Sequence, residues 1–203
     1  MLGAIYKKDG DLNKALDLFL QSEEEAKARK DDLGVLNSLN SLVDLFLYWN
    51  IPEYADLYAT KAVKQETDMR IKNPVVSAQT YINKGRALHQ LGKMDSILFY
   101  TDQAKMICRS LPYNSGMVDV NLLEGIYMTE KGGDSLEPGI QQLQNVISEG
   151  TATNRAIAYH QLAQTYLKMN QTKKAGIMLD SLHTFLKKND SPVSVLHIDY
   201  KPI

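Results

Sequence analysis

Four histidines and one cysteine are the side chains of this 203-residue chain best suited to metal binding or nucleophilic catalysis. The histidines are His89, His160, His183 and His197, and they form neither an HExxH pattern nor a pair at ligand spacing. Cys108 has no nucleophile signature around it, and a single cysteine excludes a disulfide framework within the chain. We therefore expect no metal site and no catalytic residues, with an active site assembled from distant side chains as the open alternative.

A glycine-rich segment, KGGDSLEPG at 131–139, is the stretch nearest to a phosphate-binding loop. It lacks the GxxxxGK[ST] spacing, and no strand pattern precedes it. No glycine-rich dinucleotide loop follows a strand elsewhere in the chain. The sequence therefore predicts no cofactor.

The charge balance excludes several classes of partner. The chain has 23 basic and 24 acidic residues, a net charge of −1, and its lysines lie in scattered pairs next to acids. We expect no nucleic-acid binding by this segment. No apolar run reaches the roughly 20 residues that a membrane span needs, and the first ten residues lack signal-peptide features. The compartment stays open between cytoplasm and periplasm, including attachment to a membrane-anchored parent protein.

Small residues recur at a nearly constant interval on helical hydrophobic patterns. Gly3, Val43, Gly85, Gly125 and Ala163 are spaced 40, 42, 40 and 38 residues apart. A small side chain at such a position lets a neighbouring helix approach closely. The interval predicts a repeated helix-turn-helix element of about 40 residues.

Turn signals lie where such an element needs them. Gly10 and Gly92 are suited to a left-handed helix stop. Asn73-Pro74 is typical of an N-cap followed by proline in the first helical turn. Trp49 lies at a helix end, where it could stack on a ligand, although packing at the turn is the favoured interpretation.

The stretch 155–186 presents the clearest copy of the element. Its first helix carries Tyr159, Leu162, Ala163 and Tyr166, and its second carries Ala175, Leu179 and Leu182. At the start of the chain, Leu2-Gly3 and Tyr6 are followed by Ala15 and Phe19. This order resembles the tetratricopeptide repeat. HEAT repeats have a similar period, but the Leu-Gly-x-x-Tyr and Ala-x-x-x-Phe patterns favour the tetratricopeptide family.

The resemblance implies an all-α fold, a right-handed α-α superhelix of about five helix-turn-helix repeats. We predict one repeat domain over 1–188. Its repeats are expected at 1–32, 33–71, 73–111, 114–149 and 152–188, the fourth being the weakest match. The apolar residues 189–203 are expected either to fold over the last helix or, by a slight preference, to begin a following element. The short first helix suggests a segment of a longer protein.

In this family the first helix of each repeat lines the concave face, which implies a set of partner-binding residues. Amides there can bond the backbone of an extended peptide as donor and acceptor together. Ordinary solvent-facing polar residues are the open alternative. The clamp that chaperone-binding members use for a terminal carboxylate is incomplete, because its lysine positions hold Asn40 and Gln79. The expected surface residues are Asn37, Asn40, Asp44, Tyr48, Gln79, Asn83, Arg86, Gln90, Asp119, Leu122, His160, Gln164 and Lys168.

The family resemblance implies a non-enzymatic protein-interaction module. Its partner would be a protein or peptide segment, or a second copy of the chain. The repeat length also resembles helical regions ahead of histidine kinase or DNA-binding domains in bacterial regulators. That likeness suggests a sensory or regulatory segment of a larger signalling protein. The alternative is a small-ligand sensor that uses the concave groove.

Overall fold

The structure is a computed structural model that describes residues 2–111 and 115–188, and the regular secondary structure of this part of the chain is helical. Short 3-10 turns, Met94–Ser96 and Gly133–Ser135, precede α6 and α8. The prediction of an all-α fold of helix-turn-helix repeats is confirmed. The ten described α-helices are α1 (Leu2–Lys8), α2 (Leu12–Ala28), α3 (Asp32–Tyr48), α4 (Pro52–Asp68), α5 (Pro74–Gln90), α6 (Ile97–Arg109), α7 (Ser115–Lys131), α8 (Leu136–Glu149), α9 (Ala152–Lys168) and α10 (Thr172–Lys188).

Residues in the left-handed backbone conformation end several helices and reverse the direction of the chain. Gly10 (φ +85°) and Gly92 (φ +69°) adopt this conformation, which confirms both predicted stops. Asn50, Lys30 and Asn170 adopt it with φ of +57°, +57° and +58°. Glycine enters this region without a Cβ clash, and asparagine tolerates it better than most residues. Lys30 has no such advantage, so its turn carries backbone strain.

Side-chain caps begin four of the helices. Asp31 accepts a hydrogen bond from the Gly34 amide at 2.8 Å, and Asp11 accepts one from the Lys14 amide at 3.2 Å. Asn73 accepts from the amides of Val75 and Val76, as its sequence position predicts. Thr151 caps α9 in the same way. These bonds satisfy amides that a helix leaves unpaired at its start.

The chain divides into two compact units, which are described separately. Unit 1 is Met1–Gly116 and contains α1–α6, in which sequential helices pack against one another and α3 also packs against α5. Alanines are fully buried where α4 meets its neighbours, and large aliphatic side chains of α3 fill the space between them. This alternation of small and large residues forms the core. Its members include Leu36, Leu39, Leu42, Val43, Phe46, Ala55, Ala59 and Ala62.

Unit 2 is Met117–Ile203, of which residues 117–188 are described. In it α8 packs against α9, and α9 against α10. Leu143, Val146, Leu162, Ala175 and Leu182 are buried there. The expectation of a single repeat domain over 1–188 stays a prediction, and the expectations for 189–203 lie outside the described residues.

The repeated small positions are sites of close packing. A Cβ on Gly3 would lie 2.7 Å from Phe19 Cε1, and one on Gly125 would lie 2.9 Å from Leu143 Cγ. Val43 and Ala163 are also buried. The predicted close approach is confirmed at Gly3 and Gly125, where a larger side chain would displace the second helix of the same repeat.

None of the helices within residues 2–111 and 115–188 is both long and apolar enough to cross a membrane.

Candidate protein-interaction surface

A buried network of amides joins α3 to α5 in unit 1. Asn40 Nδ2 donates to Thr80 Oγ1 at 2.8 Å, and Asn83 Nδ2 lies 3.3 Å from Asn40 Oδ1. Gln79 Nε2 donates to Asn83 Oδ1 at 2.8 Å. Asn40 is 7% exposed and Asn83 is 1% exposed. These two amides therefore bond each other inside the protein, which corrects the expectation that they line an open surface.

A cluster of charged and aromatic residues lies at the edge of this network and links three first helices. Asp44 on α3 lies 3.6 Å from Lys7 Nζ on α1 and 3.7 Å from Arg86 Nη1 on α5. The Lys7 ammonium is also 5.9 Å from the centre of the Tyr48 ring. Both ion pairs are long, and the Asp44 side chain is 44% exposed. We call Lys7, Asp44, Tyr48 and Arg86 the Asp44 cluster.

The remaining predicted residues of unit 1 lie around these features. Asn37 is exposed on α3, and Gln79 is half-buried. Gln90 is exposed, and its Nε2 donates to the Leu47 carbonyl at 3.3 Å. The α1, α3 and α5 helices thus bring together six predicted residues that retain exposed surface, and Lys7 as a seventh that sequence reasoning missed. These are Asn37, Asp44, Tyr48, Gln79, Arg86 and Gln90.

The predicted residues of unit 2 are divided between packing and surface. Asp119 accepts from Asn154 Nδ2 at 3.3 Å, and Leu122 is buried. His160 is half-buried, Gln164 is exposed and Lys168 pairs with Glu130. Leu122 is therefore a core residue rather than part of a binding surface.

A second polar contact in unit 2 was missed by sequence reasoning. Gln161 Nε2 donates to Thr129 Oγ1 at 3.2 Å and to Glu130 Oε1 at 2.8 Å, which ties α9 to α7. Gln161 precedes the core residues Leu162 and Ala163. The helical pattern alone gave no signal that its amide would also be buried.

Two further charged residues in unit 1 are buried and were not anticipated. Glu66 on α4 accepts from the Tyr81 hydroxyl at 2.7 Å and pairs with Lys72 at 3.0 Å. Lys84 on α5 pairs with Asp56 and donates to Thr60 Oγ1 at 2.7 Å. Glu66 lies four residues after the buried Ala62, so the helical spacing of the small residues was a usable signal.

The environment of Glu66 and Tyr81 shifts the pKa values of both side chains. Burial raises the pKa of the Glu66 carboxyl, but hydrogen bonds from Tyr81 and Lys72 outweigh it and leave that pKa below its usual value. Burial and the bond to Glu66 raise the pKa of Tyr81 to about 12. The pair therefore favours a charged carboxylate and a protonated phenol.

A cavity of about 700 Å³ lies beside the α2–α3 and α4–α5 connections. Its size suits a small ligand, but ligand pockets are usually lined mainly by apolar side chains. Six charged residues line this cavity, with Leu33, Met69, Ile71 and Pro74 among its apolar residues. In the described residues no group of three or more histidine, cysteine, aspartate or glutamate side chains could hold a metal ion. The charged lining is Lys30, Asp31, Asp32, Asp68, Arg70 and Lys72.

Trp49 packs at the turn, as favoured from sequence. Its ring is nearly parallel to that of Phe46, with ring centres 6.3 Å apart, and it contacts the core cluster of α3 and α4.

Comparisons with known proteins also indicate the tetratricopeptide repeat that the sequence resembles. A family model for the tetratricopeptide repeat matches residues 156–180. Residues 156–180 are therefore similar to a tetratricopeptide repeat. A crystal structure of a putative kinesin light chain from Podospora anserina, with nearly identical TPR-like repeats, superimposes with a TM-score of 0.62. The two share 17% identity, and the alignment covers 93% of each chain. No curated protein sequence matches the chain.

Tetratricopeptide repeats generally mediate protein–protein interaction, and the fold is typically a non-enzymatic scaffold. In unit 1, the Asp44 cluster is a charged feature that connects α1, α3 and α5 and remains open to solvent. Asn83, which matches a position of the expected carboxylate clamp, has its amide bonded to Asn40.

Proposed function

We propose that the chain is a protein-interaction module that binds an extended partner segment across α1, α3 and α5 of unit 1. The observation that carries this proposal is the Asp44 cluster. Its two ion pairs are 3.6 and 3.7 Å long, so Asp44 retains acceptor capacity for a partner's amide or cation. Pairs of this kind at a surface contribute little stability by themselves.

The chemistry of the cluster defines the partner segment. Lys7 and Arg86 supply donors for a carboxylate or backbone carbonyl, and Tyr48 supplies an apolar ring with a polar tip. Gln79 and Gln90 can each donate and accept along a peptide backbone. A peptide that carries an acidic residue beside an apolar one fits this set.

The experiment is capture of partners by the intact protein, with Arg86→Ala as the test variant. Loss of the Arg86 guanidinium removes a donor and one neighbour of Asp44, so we expect captured partners to be depleted about 10-fold or more. Arg29→Ala is the matched control, because Arg29 forms an ion pair of the same length, 3.7 Å, with Glu25 on another surface. If the two variants capture the same amounts of every partner, the proposed surface is wrong.

The larger context is also a proposal: a sensory or regulatory segment of a bacterial signalling protein. The repeat length near 40 residues supports it. Determination of the complete reading frame tests it, because the proposal expects an attached kinase or DNA-binding domain. A frame without either domain would contradict it.

Binding of a small ligand is the rival function, and thermal-shift screening separates the two. Our proposal expects no specific small molecule to raise the melting temperature of the intact protein. A ligand that raised it in a saturable manner would favour the sensor instead.

A further inference from the structure

Helix α6 of unit 1 has one buried side and one exposed side. The buried side, in the helix that packs against α5, consists of Ile97, Thr101, Ala104 and Cys108. Five exposed residues, spaced 4, 3, 4 and 3 apart, follow the other side. Most of them are two residues from a buried one, and two residues turn a helix by about 200°. We call these five the α6 stripe: Asp95, in the 3-10 turn that leads into α6, and Phe99, Asp102, Met106 and Arg109.

Two large apolar side chains lie within the α6 stripe. Phe99 is 62% exposed, and Met106, two helical turns further along, is 68% exposed. The Phe99 ring meets the Tyr100 ring edge-on, with ring centres 5.1 Å apart, so one neighbour steadies it while most of the ring faces solvent. Apolar residues aligned at this spacing on one helix are typical of a seam between two helices.

The charges of this element are divided between its two halves. The acidic residues Asp95 and Asp102 lie in the first half, and the basic residues Lys105 and Arg109 lie in the second. Neither Asp95 nor Arg109 has an ion-pair partner in the part of the chain that the structure describes. Two such helices side by side in parallel would place like charges together, whereas an antiparallel pair places each acidic half against a basic half. The stripe is therefore complementary to a second copy of itself.

We propose that two copies of the chain associate through their α6 stripes, antiparallel about a two-fold axis that passes beside Asp102. Phe99 of each copy then contacts Met106 of the other, a pairing of ring and thioether that is favourable in itself. Asp95 of each copy approaches Arg109 of the other. Because the axis relates one stripe to the same stripe, both contacts occur twice and the dimer is closed.

The size and chemistry of this contact predict a weak dimer. Helix α6 is only about 20 Å long, so the contact is smaller than a standard protein interface. The two Asp102 carboxylates lie near the axis and repel each other, although the amide of Gln103 can donate to Asp102 of the other copy. The dimer uses none of the Asp44 cluster, so its failure would leave the proposed partner surface untouched.

Sedimentation velocity of the intact protein, from about 2 to about 500 µM, tests the proposal. The weight-average mass of the wild type should rise with concentration and should not exceed that of a dimer. Phe99→Asp and Met106→Asp should each weaken association about 10-fold or more. Ile71→Asp is the matched control, because Ile71 is 87% exposed in the α4–α5 connection, outside the stripe. A wild type that stays monomeric, a mass beyond the dimer, or an equal effect of Ile71→Asp overturns the proposal.

Charge reversal tests the antiparallel arrangement in the same assay. Asp95→Arg and Arg109→Asp should each weaken association about 3-fold or more, because each places like charges opposite each other twice. The double variant exchanges the two charges and should recover the dimer. Asp102→Asn should strengthen it, since the repulsion at the axis is removed. Circular dichroism establishes that each variant is folded. A folded double variant that associates no better than the single variants overturns the proposed pairing.

Discussion

The α3–α5 contact of unit 1 and the α7–α9 contact of unit 2 differ in the groups that bond their buried amides. In unit 1 neutral amides are buried between the helices, and the charges of the Asp44 cluster lie at the edge. In unit 2 the carboxylates of Asp119 and Glu130 take part in the contact between the helices. Amides are buried in both contacts, but they bond neutral side chains of the facing helix in unit 1, whereas their partners in unit 2 include carboxylates.

The degree of burial determines how each of these two contacts responds to salt and pH. A buried amide needs every polar atom satisfied, but its bonds depend little on salt or pH. A carboxylate at a half-exposed contact is stabilised by charge and remains sensitive to screening. The α3–α5 contact is thus held by interactions that leave the charges at its edge available, whereas in the α7–α9 contact Lys168 pairs with Glu130. This difference is the physical reason to place the partner surface on unit 1.

Asn83→Ala should have the largest effect on this comparison. It removes the donor to Asn40 Oδ1 and the acceptor of Gln79 Nε2, while Asn40 Nδ2 keeps Thr80 Oγ1. We therefore expect a loss of about 2–3 kcal/mol of unfolding free energy. Trp49 is the only tryptophan in the chain and lies in unit 1. Its fluorescence during urea unfolding measures the loss. Gln164→Ala, at an exposed amide, is the control. A loss below about 0.5 kcal/mol would mean that the network does not hold α3 to α5.

Gln161→Ala is the corresponding change in unit 2 and should cost less. Thr129 still donates to the Gly125 carbonyl, and Glu130 still pairs with Lys168, so no buried partner is left unsatisfied. We expect a loss of about 1 kcal/mol, the net value of a typical hydrogen bond. Circular dichroism should show a destabilised fraction of the helix signal while the Trp49 transition stays in place. If both signals shift together, the units unfold as one and the comparison of separate contacts breaks down.

Much of the fold was predictable because its signals are local. The small positions, Gly10, Gly92 and Asn73 act through backbone geometry and close approach, which do not depend on distant parts of the chain. The weak fourth repeat also follows the pattern, with Gly139, Leu143 and Val146 buried on α8.

The candidate surface was less predictable, because polar residue types do not reveal whether a neighbouring helix covers them. Asn40 and Asp44 lie one helical turn apart on α3, and both were expected on the surface. Asn40 faces Thr80 on α5, while Asp44 remains 44% exposed. That outcome depends on the α3–α5 contact between residues about 40 positions apart. The position of Lys7 beside Asp44 depends on the packing of α1 in the same way.

High pH should destabilise unit 1 by a smaller amount. Folding raises the pKa of Tyr81 from its ordinary value to about 12, so the stabilisation is fully present below the ordinary value near 10 and is lost as the pH rises towards 12. Because Tyr81 is only partly buried, the loss should stay under about 1 kcal/mol. The Trp49 unfolding midpoint, followed between pH 9 and 11.5, measures it. Tyr81→Phe should flatten part of this dependence, with Tyr58 retaining a share because its pKa is also raised, chiefly by burial. An unchanged slope in that variant would show that other groups cause the loss.

We expect the smallest effect on stability from substitutions in the exposed ion pairs of Arg86 and Lys168. These two substitutions compare unit 1 and unit 2 directly. Lys168→Ala and Arg86→Ala each remove one exposed or half-exposed ion pair, so each should change the unfolding free energy by about 0–0.5 kcal/mol. Their effects on partner capture should nevertheless differ, because Arg86 belongs to the open Asp44 cluster and Lys168 is paired with Glu130. Equal stability with capture lost only in Arg86→Ala would separate binding from packing. Capture lost in Lys168→Ala alone would place the partner surface on unit 2 and reverse the assignment.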